Sequence, residues 1–213
     1  MASRVHLVRH GEVENPDHIV YADLQGFGLS ADGEAQAGEA TIHLSDRPIS
    51  AVCSSPLTRA IQTATAIANP HGVEIDIVEQ LTEFGLSRRW RGLRWEELDD
   101  RFPGEVAAYL EHPWDMPFSP ESLAEMAGRM EGVIRSLHLA HPDGELVVVS
   151  HQDPIQAAHL ALTERPFAWF PSDKPEHAEV ITLEPGTPWR ETARWGPSIK
   201  SGLFPPPARG ASS

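Results

Sequence analysis

One cysteine, Cys53, occurs among 213 residues. An intramolecular disulfide is therefore excluded, and no second thiol exists to build a CxxC zinc or redox motif. Cys53 ends the run Ile49-Ser-Ala-Val-Cys53 and reads as a small buried strand residue. Long apolar runs are also missing, the longest being a few residues where a membrane-spanning helix needs ~20. Met1 to Val8 holds no apolar stretch of the kind that heads a secretory signal and reads as an immediate strand. The expected location is the cytoplasm, with no membrane partner. Positive charge is the minority sign, 17 Lys and Arg against 31 Asp and Glu, a formal net charge of −14. Such a field repels polyanions, so no nucleic acid is expected as a partner, and an anionic ligand must be met by arginines placed locally. GxxxxGK[ST] does not occur, and Gly26-x-Gly28 is too short for a dinucleotide fingerprint.

What is present is a globular composition, 40% hydrophobic and 23% charged, on a chain long enough to bury about 70% of its unfolded surface. Four β-branched stretches, 5–8, 49–53, 74–78 and 146–149, are each followed by a turn and a helical pattern. That alternation signals parallel strands covered by helices. Residues 31–46 and 57–68 have helical composition. A longer helix is expected from Ser119-Pro120-Glu121, with Ser119 as cap, placing Leu123, Met126, Ala127, Met130, Val133, Ile134 and Leu137 on a core face. Residues 180–183 and 189–195, separated by Pro185-Gly-Thr-Pro188, read as a terminal hairpin. Residues 1–196 are expected to form one domain and 197–213 a loose Pro/Gly/Ser-rich tail. Between Glu83 and Pro120 lies an irregular insertion with three of the six tryptophans.

Chemistry concentrates where strands run into helices. Ligands of open α/β sheets gather there because helix N-termini and free backbone amides point that way. The first junction is Leu7-Val8-Arg9-His10-Gly11, whose glycine lets the chain turn. The second is Ser54-Ser55-Pro56-Leu57-Thr58-Arg59, with Ser55 as a helix cap and Arg59 in the first turn. The third is Val149-Ser150-His151-Gln152-Asp153-Pro154. Two arginines and two histidines thus meet at one edge. Guanidinium forks suit phosphate oxygens, and a neutral imidazole is a competent nucleophile toward phosphorus.

Arg9-His10-Gly11 with Asn15 resembles the signature of the histidine phosphatase superfamily, also called phosphoglycerate-mutase-like. The resemblance continues in order through Leu29-Ser30-x-x-Gly33-x-x-Gln36-Ala37, Ser54-Ser-Pro-Leu-x-Arg59-Ala60-x-Gln62-Thr63-Ala64, Leu81-x-Glu83 with Trp90-Arg91-Gly92, and Val148-Val-Ser150-His151. It implies a three-layer α/β/α sandwich with a mostly parallel central sheet. It also implies that His10 attacks the phosphoryl group, that Arg9, Arg59 and His151 bind and stabilise it, and that Asn15 and Gln152 border the phosphate. Glu83 matches the family's proton donor, serving the leaving alkoxide and later the attacking water. Two departures stand out: Gln152 replaces a usual glycine after His151, and the Glu83–Gly92 spacing is one residue longer than usual.

The expected activity is metal-independent hydrolysis of a small phosphorylated metabolite, with inorganic phosphate as product and no cofactor. Phosphoglycerate mutase-type transfer and a non-catalytic phospholigand-binding module are the alternatives, and a homodimer is left open. Arg88, Arg89 and Trp90, with Arg91, Arg94 and Trp95, are a candidate specificity rim for a second anionic or flat group. The competing reading pairs these arginines with Glu96, Glu97, Asp99 and Asp100. His138-x-x-His141 lacks a third ligand and His151-x-Asp153 falls inside the phosphate motif, so no metal is expected. His18 or His112 is a candidate for the pocket lining. The remaining histidines, His177 among them, read as structural.

Overall fold

The computed structural model describes residues 1–201. These form a six-stranded sheet in the order β3-β2-β4-β1-β5-β6, from β1 Val5–Arg9, β2 Ile49–Ser54, β3 Ile75–Ile77, β4 Glu145–Ser150, β5 Val180–Glu184 and β6 Arg190–Trp195. The first four strands run parallel, and the expected hairpin adds β5 and β6 antiparallel at one side.

Strand alternation builds the three layers. In β1 and β4, Val5, Leu7, Leu146 and Val148 feed one core with helices α6 (Leu123–Ala140) and α7 (Gln152–Leu162). Val8, Val147 and Val149 feed the opposite core with α1 (Ala31–Leu44) and α2 (Thr58–His71). Successive side chains of a strand point to opposite faces, so strands buried on both sides read as continuous apolar runs, as β4 does. The chain leaves β1 for one side of the sheet and β4 for the other, which opens a crevice at their carboxyl ends.

Two helix starts differ from expectation. Helix α6 begins at Leu123, capped by Ser122 in a reciprocal box with Glu125, because Ser122-x-x-Glu125 satisfies two free amides where Ser119 would satisfy one. Helix α2 begins at Thr58 without a side-chain cap. Residues 83–120 contain three short helices, α3 (Gly85–Trp90), α4 (Leu98–Arg101) and α5 (Glu105–Glu111). They form a layer over the crevice, with Phe84, Leu86, Trp90, Leu98 and Tyr109 buried in the larger core.

In the stretch expected to be a loose tail, residues 197–201 lie against α1. Ser198 donates to Glu39, and Gln36 donates to the Ile199 carbonyl and to Ser201 Oγ. The rest of that stretch, 202–213, lies outside the described residues. No described helix is long and apolar enough to cross a membrane.

Candidate active site

The parallel sheet brings the three predicted junctions together. His10 continues β1, His151 follows β4, and Arg59 stands in the first turn of α2. Gly11 is required by proximity rather than by a turn. A Cβ there would sit 2.4 Å from the Gly33 carbonyl oxygen, and one on Gly33 would sit 2.0 Å from that of Glu12. The loop after His10 therefore lies directly on the start of α1.

His10 is 2% exposed. Its Nδ1 lies 2.7 Å from the Gly11 carbonyl, which only accepts, so Nδ1 carries the proton and Nε2 the lone pair. Arg59 Nε donates to that Nε2 at 3.2 Å. Burial, then the charges of Arg59, His151 and Arg9, hold the His10 imidazole well below its usual range. It is thus neutral and nucleophilic at neutral pH.

Around this nitrogen the donors are partly spent. Arg59 Nη2 donates to the Ala22 carbonyl at 2.7 Å and its guanidinium lies over Tyr21, while Nη1 has no partner. Arg9 Nη1 donates to the Pro175 carbonyl at 2.9 Å and Nη2 meets His177 Nε2 at 2.7 Å, while Nε has no partner. His151 Nε2 is held by Ser55 Oγ at 2.7 Å, and its Nδ1 has no partner. The expected helix cap Ser55 instead orients the second histidine. Buried N–H groups without acceptors are costly and rare. Two guanidinium donors in this state, beside the unpartnered His151 Nδ1, describe a site that an oxyanion would complete.

Glu83 Oε2 lies 3.8 Å from His151 Nδ1, and Oε1 accepts from the Phe84 amide at 2.8 Å. Ser150 Oγ donates to the Leu81 carbonyl at 2.7 Å, and Arg129 Nη1 to the Thr82 carbonyl at 3.2 Å, which tethers this segment to β4 and α6. Burial, reinforced by the Asp153 carboxylate, pushes the Glu83 carboxyl up to about 7.

Asn15 holds the backbone of its own loop and keeps a second amide N–H. Its side chain accepts from Ile19 N at 3.0 Å and donates to Ile19 O at 2.9 Å, shaping the loop that carries Tyr21. Gln152 lines the cavity beside Arg9 and Glu83, together with Ile19, Tyr21, Phe84, Leu86, Trp90, Trp95, Tyr109 and Asp153. The cavity holds about 110 Å³.

Of the proposed rim, Trp90 is in place, its Nε1 donating to Glu105 at 3.0 Å. Arg89 is a bidentate partner of the same Glu105. Arg88 and Arg91 pair with Asp23, and Arg94 with Asp17, so the acids expected to neutralise them are replaced by residues from other segments. His18 pairs with Glu96 and His112 packs near Trp114; neither is among the cavity-lining residues.

Sequence reasoning missed Asp153, Tyr109 and Lys174. Tyr109 Oη donates to Asp153 at 2.9 Å and Lys174 Nζ approaches the same carboxylate at 2.9 Å. Asp153 stood in the third junction, but its partners come from α5 and the 163–179 loop. His138 packs on Trp189 rather than joining His141, whose ring nitrogen instead lies within 4.8 Å of a donor set completed by Cys53 and Asp76. Burial and Asp76 push the Cys53 thiol up to about 12.

The sequence profile of the histidine phosphatase superfamily (branch 1) matches residues 5–196. An uncharacterised Mycobacterium tuberculosis protein is 37% identical over 172 residues, 76% of this chain and 79% of its own. Phosphoserine phosphatase 1 of Hydrogenobacter thermophilus is 32% identical over 157 residues, covering 73% and 74%. A mycobacterial glucosyl-3-phosphoglycerate phosphatase solved with VO3 superposes with a TM-score of 0.81 at 28% identity, covering 92% of this chain and 100% of that one.

Proposed function

Since the chain belongs to the histidine phosphatase superfamily and is a phosphoric monoester hydrolase, we propose that it cleaves a small phosphate monoester, without metal, through a phosphohistidine on His10. The observation that carries the reading is that Arg9 Nε, Arg59 Nη1 and His151 Nδ1 are buried and unpartnered on side chains beside His10, with Arg59 Nε 3.2 Å from the His10 lone-pair nitrogen and the His151 ring 5.2 Å from the His10 ring.

His10 Nε2 attacks phosphorus and the P–O bond to the alcohol breaks. Arg9, Arg59 and His151 hold the equatorial oxygens, over which transition-state charge spreads. Glu83, protonated at first, gives its proton to the departing alkoxide. As a carboxylate it then takes a proton from the water that cleaves the P–N bond, returning His10 and releasing phosphate. A carboxyl near 7 suits both turns. The cations supply the charge a divalent metal would supply and would repel one, which supports metal independence.

The leaving-group side favours an alcohol without a second anion. Its walls are mainly aliphatic and aromatic, the Asp153 carboxylate is already matched by Lys174 at 2.9 Å, and Arg9, whose free donor is assigned to phosphate, is the one cation lining it among the described residues. This contrasts with the phosphoserine and glucosyl-3-phosphoglycerate of the named relatives, whose substrates carry a carboxylate.

Hydrolysis of p-nitrophenyl phosphate and a panel of monoesters in excess EDTA tests the proposal. Activity should survive EDTA, favour uncharged leaving groups over phosphoserine and 3-phosphoglycerate, and fall by about 10⁴-fold or more in His10→Ala. Abolition by EDTA would overturn metal independence. Isomerisation of 3-phosphoglycerate in place of hydrolysis would make the protein a mutase.

A further inference from the structure

We propose that Ser201, in the segment after β6, is part of the phosphate site at one remove: through His177 it holds the Arg9 guanidinium so that Nε is left for phosphate. The proposal rests on the phosphate-binding reading of Arg9.

The argument is an accounting of donors and acceptors. Arg9 has five N–H groups and no acceptor, so whatever meets Nη2 at 2.7 Å must accept; that atom is His177 Nε2. A neutral imidazole that accepts at Nε2 carries its proton on Nδ1. His177 Nδ1 lies 2.8 Å from Ser201 Oγ, which therefore receives it. The same oxygen accepts from Gln36 Nε2 at 2.9 Å, so its two lone pairs are both used. Gln36 Oε1 in turn accepts from the Glu12 amide at 2.9 Å, in the loop after His10. One hydroxyl thus joins the residue that fixes Arg9 and the residue that fixes the nucleophile's loop.

Such a fixed tautomer is needed because the alternative is repulsive. With the proton on Nε2, His177 would aim an N–H at a guanidinium N–H inside a region where Arg9 and His177 are each 9% exposed. A doubly protonated ring would place a second cation there. Burial and Arg9 keep the imidazole well below its usual range, so it stays neutral. The backbone supports the arrangement: Ala178 N donates to the His10 carbonyl and Arg9 N to the Glu179 carbonyl. Ser201 is delivered by Gln36 and Glu39 of α1, which grip Ile199 and Ser198. His177 and Ser201 touch no reacting atom and are positioning residues.

The test uses full-length protein. Ser201→Ala should keep the wild-type melting temperature, raise the inhibition constant of inorganic phosphate and of vanadate about 3- to 10-fold, and raise KM more than it lowers kcat. Nitrogen-15 spectra of the histidine rings should show His177 as the Nδ1–H tautomer in the wild type and a shift toward Nε2–H in Ser201→Ala. His177→Gln, whose amide oxygen reaches Arg9 without Ser201, should retain most of the phosphate affinity that His177→Ala loses. Adding Ser201→Ala to His177→Gln should cost nothing more. Unchanged phosphate inhibition and an unchanged tautomer in Ser201→Ala would overturn the proposal while leaving the phosphate reading intact. Absence of phosphate and vanadate inhibition in the wild type would overturn that reading and the proposal with it.

Discussion

Two groups of arginines, one buried beside His10 and one exposed on the 83–120 segment, behave oppositely. Arg9 and Arg59 are 9% and 0% exposed and each keeps one guanidinium nitrogen without a partner. Arg88, Arg91 and Arg94 have side chains 52%, 50% and 56% exposed, and each faces a carboxylate, Asp23 for the first two and Asp17 for the third. A buried cation with an unspent donor is held at a cost that only a ligand offsets. An exposed ion pair is worth little and asks for nothing. Arg89 stands between the groups, its fork closed on Glu105, which also holds Trp90 in the cavity wall.

Substitutions sharpen that contrast. The largest effect belongs to Arg59→Ala, where kcat/KM should fall by about 10³-fold because transition-state charge loses a preorganised donor. A change below tenfold would break the distinction. Glu83→Gln follows, with kcat for alkyl phosphates lower by about 10²-fold and the fall in rate above about pH 7 abolished. The same substitution reads the local field. The buried carboxyl binds its proton more tightly folded than unfolded, so wild-type stability declines as pH rises from its ordinary 4.5 to about 7 and then levels off. Denaturant unfolding should therefore show no gain for Glu83→Gln near about pH 4 and a gain on the order of 3 kcal/mol near about pH 8.

Arg89→Ala should lower stability by about 1–2 kcal/mol, since the buried Glu105 is left without its fork, and should raise KM through Trp90 while kcat stays within about threefold. Thermal melts beside steady-state kinetics separate the two effects. The smallest expectation is for Arg88→Ala and Arg91→Ala: stability within about 0.5 kcal/mol and kcat/KM within about twofold. A tenfold loss for phosphoserine alone would reinstate these arginines as a second anion subsite.

The strand-to-helix junctions were legible in the chain because each is local. A β-branched run, then Arg-His, Ser-Pro or Ser-His, then an amphipathic pattern fixes what stands at the carboxyl end of each strand, and parallel pairing brings those ends to one edge. The hairpin at 180–195 and the core face of α6 were legible for the same reason. The start of α6 was not, because two serines competed and only Ser122 has the glutamate three residues on that completes a reciprocal cap.

The sequence by itself determined which residues meet at the sheet edge and the chemistry they can perform. The tertiary structure decided which of their hydrogen bonds are already spent. Arg59 is closed by Ala22, Arg9 by Pro175 and His177, and Arg88 and Arg91 by Asp23, partners 37, 166, 168, 65 and 68 residues away. Local periodicity carries no signal for a partner that only a closed loop or a neighbouring strand delivers. A guanidinium has one appearance in sequence, and whether it binds a ligand or props a wall depends on the acceptors that folding leaves within 3 Å of it.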